Sequence, residues 1–134
     1  MKQVVIDTNV IVSSVLSSKG SPFQIMRLVS NRVIRLFYSS AILNEYKRVL
    51  AYPKLKIRVQ IQTDTIEKLE RLGTQIEPIA SSIPLPDETD RIFYDTAKAI
   101  GGILITGNMK HYPAKPFIMT PAEFIESLAK GRAI

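Results

Sequence analysis

The sequence predicts an α/β domain, a three-layer α/β/α sandwich around a mainly parallel central sheet, with residues 1–134 forming a single unit. Three observations lead there. Short apolar runs of strand length alternate with helical patterns from one end of the chain to the other. The first run, Val4-Val5-Ile6, ends abruptly in Asp7-Thr8-Asn9, as a buried strand does when it opens onto the carboxyl edge of a parallel sheet. The 134 residues, 46% of them hydrophobic, supply one proper core and too little for two.

Taken in order, residues 3–6 read as a buried strand, and Asn9 to Leu16 continue as a helix or turn bordering its end. Lys19-Gly20-Ser21-Pro22 is a break, with Ser21 as N-cap and Pro22 at the first helical position; Phe23, Ile25, Met26 and Val29 follow at helical spacing. Val33 to Tyr38 is the second strand. Ser39-Ser40 then caps a helix carrying Ile42, Leu43, Tyr46, Val49 and Leu50, which ends at Tyr52-Pro53. Lys54 to Gln60 is basic and loosely patterned, a short helix or a loop. Thr63 or Asp64 caps an amphipathic helix with Ile66, Leu69 and Leu72 inward, closed by Gly73. Gln75 to Ile79 reads as a third short strand, and Ser81 to Pro86 as a proline-bearing surface loop that delivers Asp87 to Asp90. Ile92, Phe93, Thr96, Ala97 and Ile100 form the next helical stripe, ended by Gly101-Gly102 and followed at once by the strand Gly102–Ile105. Phe117-Ile118-Met119 is the last strand, and Thr120-Pro121 begins a helix through Leu128. No internal repeat is visible.

Bulk properties narrow the function classes. With no cysteine there is no disulfide framework, thiolate metal site or thiol nucleophile, which fits a cytoplasmic setting. Asp7 and Asn9 interrupt the apolar start, so it is not expected to act as a secretory leader, and no apolar segment approaches the roughly 20 residues of a membrane span. A soluble protein is expected. The net charge of +6 favours a polyanionic partner, and equally well serves solubility alone.

The chemistry concentrates at strand ends and helix starts. Asp7 closes the first strand, Glu45 lies on the helix after the second, Asp87 and Asp90 precede the helix after the proline loop, and Asn108 follows Ile103-Leu104-Ile105-Thr106-Gly107. Singly, each is more often a cap or a solvated surface residue. Together, at separate corners of one sheet edge, they form an oxygen-rich set suited to Mg²⁺ or Mn²⁺, the hard ions of phosphoryl chemistry. Tyr38, Tyr46, Phe93 and Tyr94 are expected in the core or an interface, since their spacing makes no platform for stacking bases.

These residues resemble the PIN-domain nucleases. Val4-Val5-Ile6-Asp7-Thr8-Asn9-Val10 is similar to the opening strand of that family, Leu43-Asn44-Glu45-Tyr46 to its second acidic motif, Asp87-Glu88-Thr89-Asp90-Arg91-Ile92-Phe93-Tyr94 to its third, and Ile105-Thr106-Gly107-Asn108 to its fourth corner. Lys110-His111-Tyr112-Pro113 and Thr120-Pro121-Ala122-Glu123-Phe124 extend the likeness over essentially the whole chain. The chain departs from many members in carrying Asn108 where they have Asp, which removes a negative charge and weakens the hold on a second metal.

The resemblance implies a PIN-like fold and a metal-dependent ribonuclease, commonly the toxin of a toxin–antitoxin pair of the VapBC type, with RNA as substrate, an antitoxin protein as partner and a homodimer as the assembly. Asp7, Glu45 and Asp90 would be catalytic and, with Asn108, hold one or two Mg²⁺ or Mn²⁺ ions that polarise the scissile phosphate and activate water. Thr8 and Asn9 are expected to anchor Asp7 by hydrogen bonds, Thr106 to steady the fourth corner or touch a phosphate, Asp87 to cap a helix or compensate for Asn108, and Lys110 to contact phosphate or lie solvated. Metal-activated water makes a histidine base unnecessary, so the lone His111 is expected in a structural or substrate-edge role. By analogy, a groove between the helices of residues 9–30 and 40–52 would take an antitoxin or a second copy. A haloacid dehalogenase-type phosphatase needs a second acid two residues after the first, where this chain has Asn9. A non-catalytic RNA- or protein-binding module with a degenerate acidic site is the remaining alternative.

Overall fold

The computed structural model describes residues 1–132, so the expected unit of 1–134 extends beyond the described residues. Five strands, β1 (Lys2–Ile6), β2 (Ile34–Tyr38), β3 (Thr74–Gln75), β4 (Ile103–Ile105) and β5 (Ile118–Met119), alternate with six helices: α1 (Thr8–Leu16), α2 (Ser21–Ser30), α3 (Ser40–Leu50), α4 (Val59–Leu72), α5 (Arg91–Ile100) and α6 (Pro121–Arg132). Single 3₁₀ turns occupy Pro53–Leu55, Glu88–Asp90 and Met109–His111.

The strands form one sheet in the order β3-β2-β1-β4-β5, with every pairing parallel. The chain leaves β1 toward β2 in one direction, and β4 later takes the opposite side of β1. The carboxyl ends of β1 and β4 therefore flank the point where strand order reverses, the place in open α/β sheets where a crevice forms. The register Val4↔Ile103, Val5↔Leu104 and Ile6↔Ile105 brings both strands to that edge at the same level.

Burial of Val4, Val5, Ile6, Leu104 and Ile105 explains why these strands read as unbroken apolar runs: both sheet faces are covered. Helix α1 packs on α2 and α3, α2 on α6, α3 on α4 and α5, and α5 across β1, β2 and β4. Tyr38, Tyr46, Phe93 and Tyr94 are all buried, as expected for core aromatics. The handover from α5 to β4 depends on two glycines. Gly101 ends the helix in the left-handed region at φ 59°. At Gly102 a Cβ would lie 2.5 Å from the Gln3 carbonyl oxygen, so only glycine lets β4 start this close to β1.

Several boundaries differ from the sequence expectation; α6 runs to Arg132 instead of ending at Leu128, and three others have a local cause. Helix α4 starts at Val59 rather than after Thr63 or Asp64. Arg58 is its N-cap and makes no side-chain cap bond, and Val59 and Ile61 are exposed, so neither capping chemistry nor an inward stripe marks the first turn. The third strand is Thr74–Gln75, paired with Phe37 and Tyr38, and does not continue to Ile79, which is 94% exposed. Helix α2 is capped by Gly20 at φ 95°, with Ser21 as its first residue instead of its cap. Among the described residues no helix is long and apolar enough to cross a membrane.

Candidate functional site

Asp7 sits where β1 hands over to α1. Its backbone N–H donates to the Ile105 carbonyl at 2.9 Å, carrying the β1–β4 contact one residue beyond the strand. The side chain is 4% exposed and is gripped by three donors from three places. Oδ1 accepts the Thr8 N–H at 2.8 Å, while Oδ2 accepts the Thr106 hydroxyl at 2.8 Å and the Tyr112 hydroxyl at 2.9 Å. Burial pushes the Asp7 carboxyl above its ordinary value against the opposing pull of these hydrogen bonds. Burial and the nearby Asp7 charge push the Tyr112 phenol far up in turn, so it stays protonated and remains a donor.

Glu45 arrives from α3. Tyr46, the next residue and fully buried, donates its hydroxyl to the Ile6 carbonyl and so pins α3 to the end of β1. The Thr8 hydroxyl donates to Glu45 Oε2, and the Arg48 guanidinium lies 3.5 Å from Oε1. Arg48 also donates to the Tyr52 hydroxyl and sits 5.8 Å from that ring's centre.

Asp90 ends the 3₁₀ turn before α5, with its side chain 13% exposed and Oδ2 2.9 Å from His111 Nδ1. Burial and the Asp7 charge raise its pKa to about 6, against the lowering effect of His111. Asp87 caps this turn: its Oδ1 accepts the Thr89 N–H at 2.9 Å and the Thr89 hydroxyl at 2.7 Å, which hold its pKa down.

Asp7, Thr8, Asn9, Glu45, Asp87, Asp90 and Asn108 all line one cleft of about 480 Å³ at the switch point, together with Arg48, Lys54 and His111. Val12, Val49 and Leu55 line it as well, and no residue of α2 does. One side chain does other work than expected. Asn9 does not hold Asp7; its Oδ1 accepts the Gly107 N–H at 2.8 Å and ties α1 to the loop after β4. Thr106, fully buried, donates to Asp7 and accepts the Asn108 N–H at 2.9 Å, so it ties the fourth corner to the acid. Lys110 is exposed on the Met109–His111 turn, outside the cleft lining. The contacts of Tyr112 on Asp7 and Tyr46 on Ile6 had no signal in the sequence beyond an aromatic residue near a motif.

The donor set fits a hard divalent cation. An ionised carboxylate offers about four acceptor positions; donors fill three on Asp7, which leaves one, and Glu45, Asp90 and Asn108 line the same cleft. A larger concavity of about 660 Å³ lies elsewhere, lined by Ile79, Ile83, Tyr94, Asp95 and Lys98 among others. Its one carboxylate, Asp95, is already satisfied by Ser81, so converging acids are found in the smaller cleft.

Comparison with known proteins bears on this geometry. The sequence pattern of the PIN domain matches residues 3–110, a stretch that includes Asp7, Glu45, Asp90 and Asn108. An uncharacterized protein of Methanocaldococcus jannaschii, MJ1680, is 28% identical over 96% of this chain and 92% of its own length. Among solved structures, the fold is similar to a chain in the crystal structure of VapBC2 from Rickettsia felis bound to a DNA fragment from their promoter. The TM-score is 0.56 with 18% identity, covering 81% of this chain and 89% of the other.

Proposed function

This chain belongs to the PIN domain family, and we propose that it is a nuclease that hydrolyses RNA phosphodiester bonds with Mg²⁺ or Mn²⁺, using Asp7, Glu45 and Asp90 as its catalytic acids. The observation that carries this reading is the convergence of acids from β1, α3 and the start of α5, with Asn108 after β4, on one cleft whose rim also holds Arg48 and Lys54. A core does not require acids at three separate corners, and crowding them costs stability unless a cation or substrate offsets it.

A divalent ion held by Asp7, Glu45, Asp90 and Asn108 would neutralise the crowded carboxylates and act as a Lewis acid toward the phosphodiester. The rest falls to the protein. Thr106, Tyr112 and the Thr8 N–H fix both oxygens of Asp7, so little reorganisation is needed when charge arrives. Asp90, raised to a pKa of about 6 by burial and the Asp7 charge, is still mostly ionised at neutral pH and so able to accept a cation. Arg48 and Lys54 offer phosphate contacts that position a strand without reading its sequence, consistent with the net charge of +6.

The structural neighbour is named as part of VapBC2. We extend that pairing to this chain as the toxin of a cytoplasmic toxin–antitoxin system, a homodimer whose antitoxin occupies the α1–α3 wall of the cleft. The test is cleavage of labelled single-stranded and structured RNAs with Mg²⁺ or Mn²⁺, against EDTA and Asp7→Asn controls. Cutting abolished by both controls supports the nuclease. Intact RNA across the panel, with binding indifferent to EDTA, overturns it in favour of a non-catalytic binding module.

A further inference from the structure

We propose that His111 is a metal ligand of the cleft, which with Asp87 and Asp90 makes a mixed nitrogen–oxygen position that takes a first-row transition cation in preference to Mg²⁺. The inference rests on the nuclease reading in treating the cleft as a cation site, and it concerns ligands and selectivity which that reading leaves open. One donor atom from each of Asp87, Asp90 and His111 lies within 4.8 Å of the other two. His111 Nδ1 and Asp90 Oδ2 are 2.9 Å apart, close to the roughly 3 Å between neighbouring ligands of an octahedral ion at about 2.1 Å.

The backbone that carries the imidazole is held in place by its own turn. Its backbone N–H donates to the Asn108 carbonyl at 3.0 Å, the Asn108 N–H is tied to Thr106, and the next residue, Tyr112, is anchored on Asp7. Asp87 is equally constrained, because Thr89 occupies Oδ1 and leaves Oδ2 for a cation. The ligands therefore come from two loops already fastened to the buried end of the site. Chemistry sets the selectivity. Mg²⁺ demands hard oxygen ligands and keeps its waters, whereas the first-row transition ions, with Mn²⁺ at the weak end of their series, gain more from an imidazole ligand than Mg²⁺ does. Asn108 sharpens this, since a neutral amide in place of a fourth carboxylate weakens the purely electrostatic hold on Mg²⁺.

The rival role for His111 is to donate a hydrogen bond that steadies Asp90. Pulsed EPR of the full chain with Mn²⁺ separates the two, because ¹⁴N coupling is seen only when imidazole binds the ion directly, and this is the chain's single histidine. The expected result is a ¹⁴N signal in the wild type that disappears in His111→Gln. Calorimetry is expected to show that His111→Gln loses about tenfold in Mn²⁺ affinity with a much smaller change for Mg²⁺, and that Asp87→Asn also weakens Mn²⁺. Bound Mn²⁺ without nitrogen coupling, or equal losses for both metals in His111→Gln, would overturn the proposal. The wild-type spectrum needs no variant to fold. Metal-dependent RNA cleavage without nitrogen coupling sinks the histidine ligand and spares the nuclease; coupling without cleavage does the reverse.

Discussion

Two buried aspartates occupy opposite situations. Asp7 is 4% exposed and Asp95 6%, and each accepts hydrogen bonds on both oxygens. Asp95 takes the Ser81 N–H at 2.9 Å and the Ser81 hydroxyl at 2.6 Å. Arg91 completes that arrangement by donating to the Ser81 carbonyl at 2.8 Å and the Ile83 carbonyl at 2.6 Å, so the loop before Asp87 is strapped onto α5. Asp7 instead shares its cleft with Glu45, Asp87 and Asp90, and its charge helps raise the pKa of Asp90. Burial alone therefore does not mark a functional acid. What separates the two is company: Asp95 meets donors that repay its desolvation, whereas Asp7 meets donors and further acids that leave an unpaid repulsion.

Exchanging the consequences of the two positions would break this comparison. The largest effect is expected at Asp7→Asn, which should lower RNA cleavage by about 10³-fold, roughly 4 kcal/mol of barrier, while the melting temperature of the metal-free protein holds or rises. Cleavage rates and thermal melts on the same preparation check this. Asp95→Asn should do the opposite, costing about 1–3 kcal/mol of stability in urea unfolding and leaving cleavage by the folded protein nearly intact. If Asp95→Asn instead abolished cleavage at full stability, the division of roles would be wrong.

Smaller changes sharpen it. Tyr112→Phe removes one donor from Asp7 Oδ2 without opening a cavity, and should weaken Mn²⁺ binding by about tenfold in calorimetry. For pH, Asp7 and Asp90 bind protons more tightly folded than unfolded, Asp90 with a pKa of about 6. Their protonation stabilises the metal-free fold, an advantage complete below the ordinary carboxylate range and lost as pH rises through about 6. Asp87, Glu77 and Glu88, held low by their hydrogen bonds, stay ionised until well below that window. Melting in EDTA should thus rise from about pH 7.5 to about pH 5, and Asp90→Asn should flatten most of the slope. The smallest effect is expected at Lys54→Ala, which should reduce the salt dependence of RNA binding by about one counterion with no change in melting.

Much of this was readable along the chain because it is local. Strand-length apolar runs at residues 3–6 and 103–105, Ser39 at the N-terminus of α3, and the Gly101-Gly102 stop each record a constraint within a few residues. Where local chemistry is silent, an element's bounds are not legible in the sequence. The first turn of α4 has no side-chain cap and exposes Val59 and Ile61, and Ile79 looks like a strand residue while standing in solvent.

By itself the sequence determined the alternation of strands and helices, the apolar cores of β1 and β4, and the order in which Asp7, Glu45, Asp90 and Asn108 occur, since periodicity and capping act between near neighbours. Only the tertiary structure decided that Tyr112 would grip Asp7 from 105 residues away, that Asn9 would latch Gly107 across 98, and that His111 would face Asp90. Those contacts exist because β4 lies beside β1 in one register, and strand order and register are set by how the whole core packs rather than by any segment on its own.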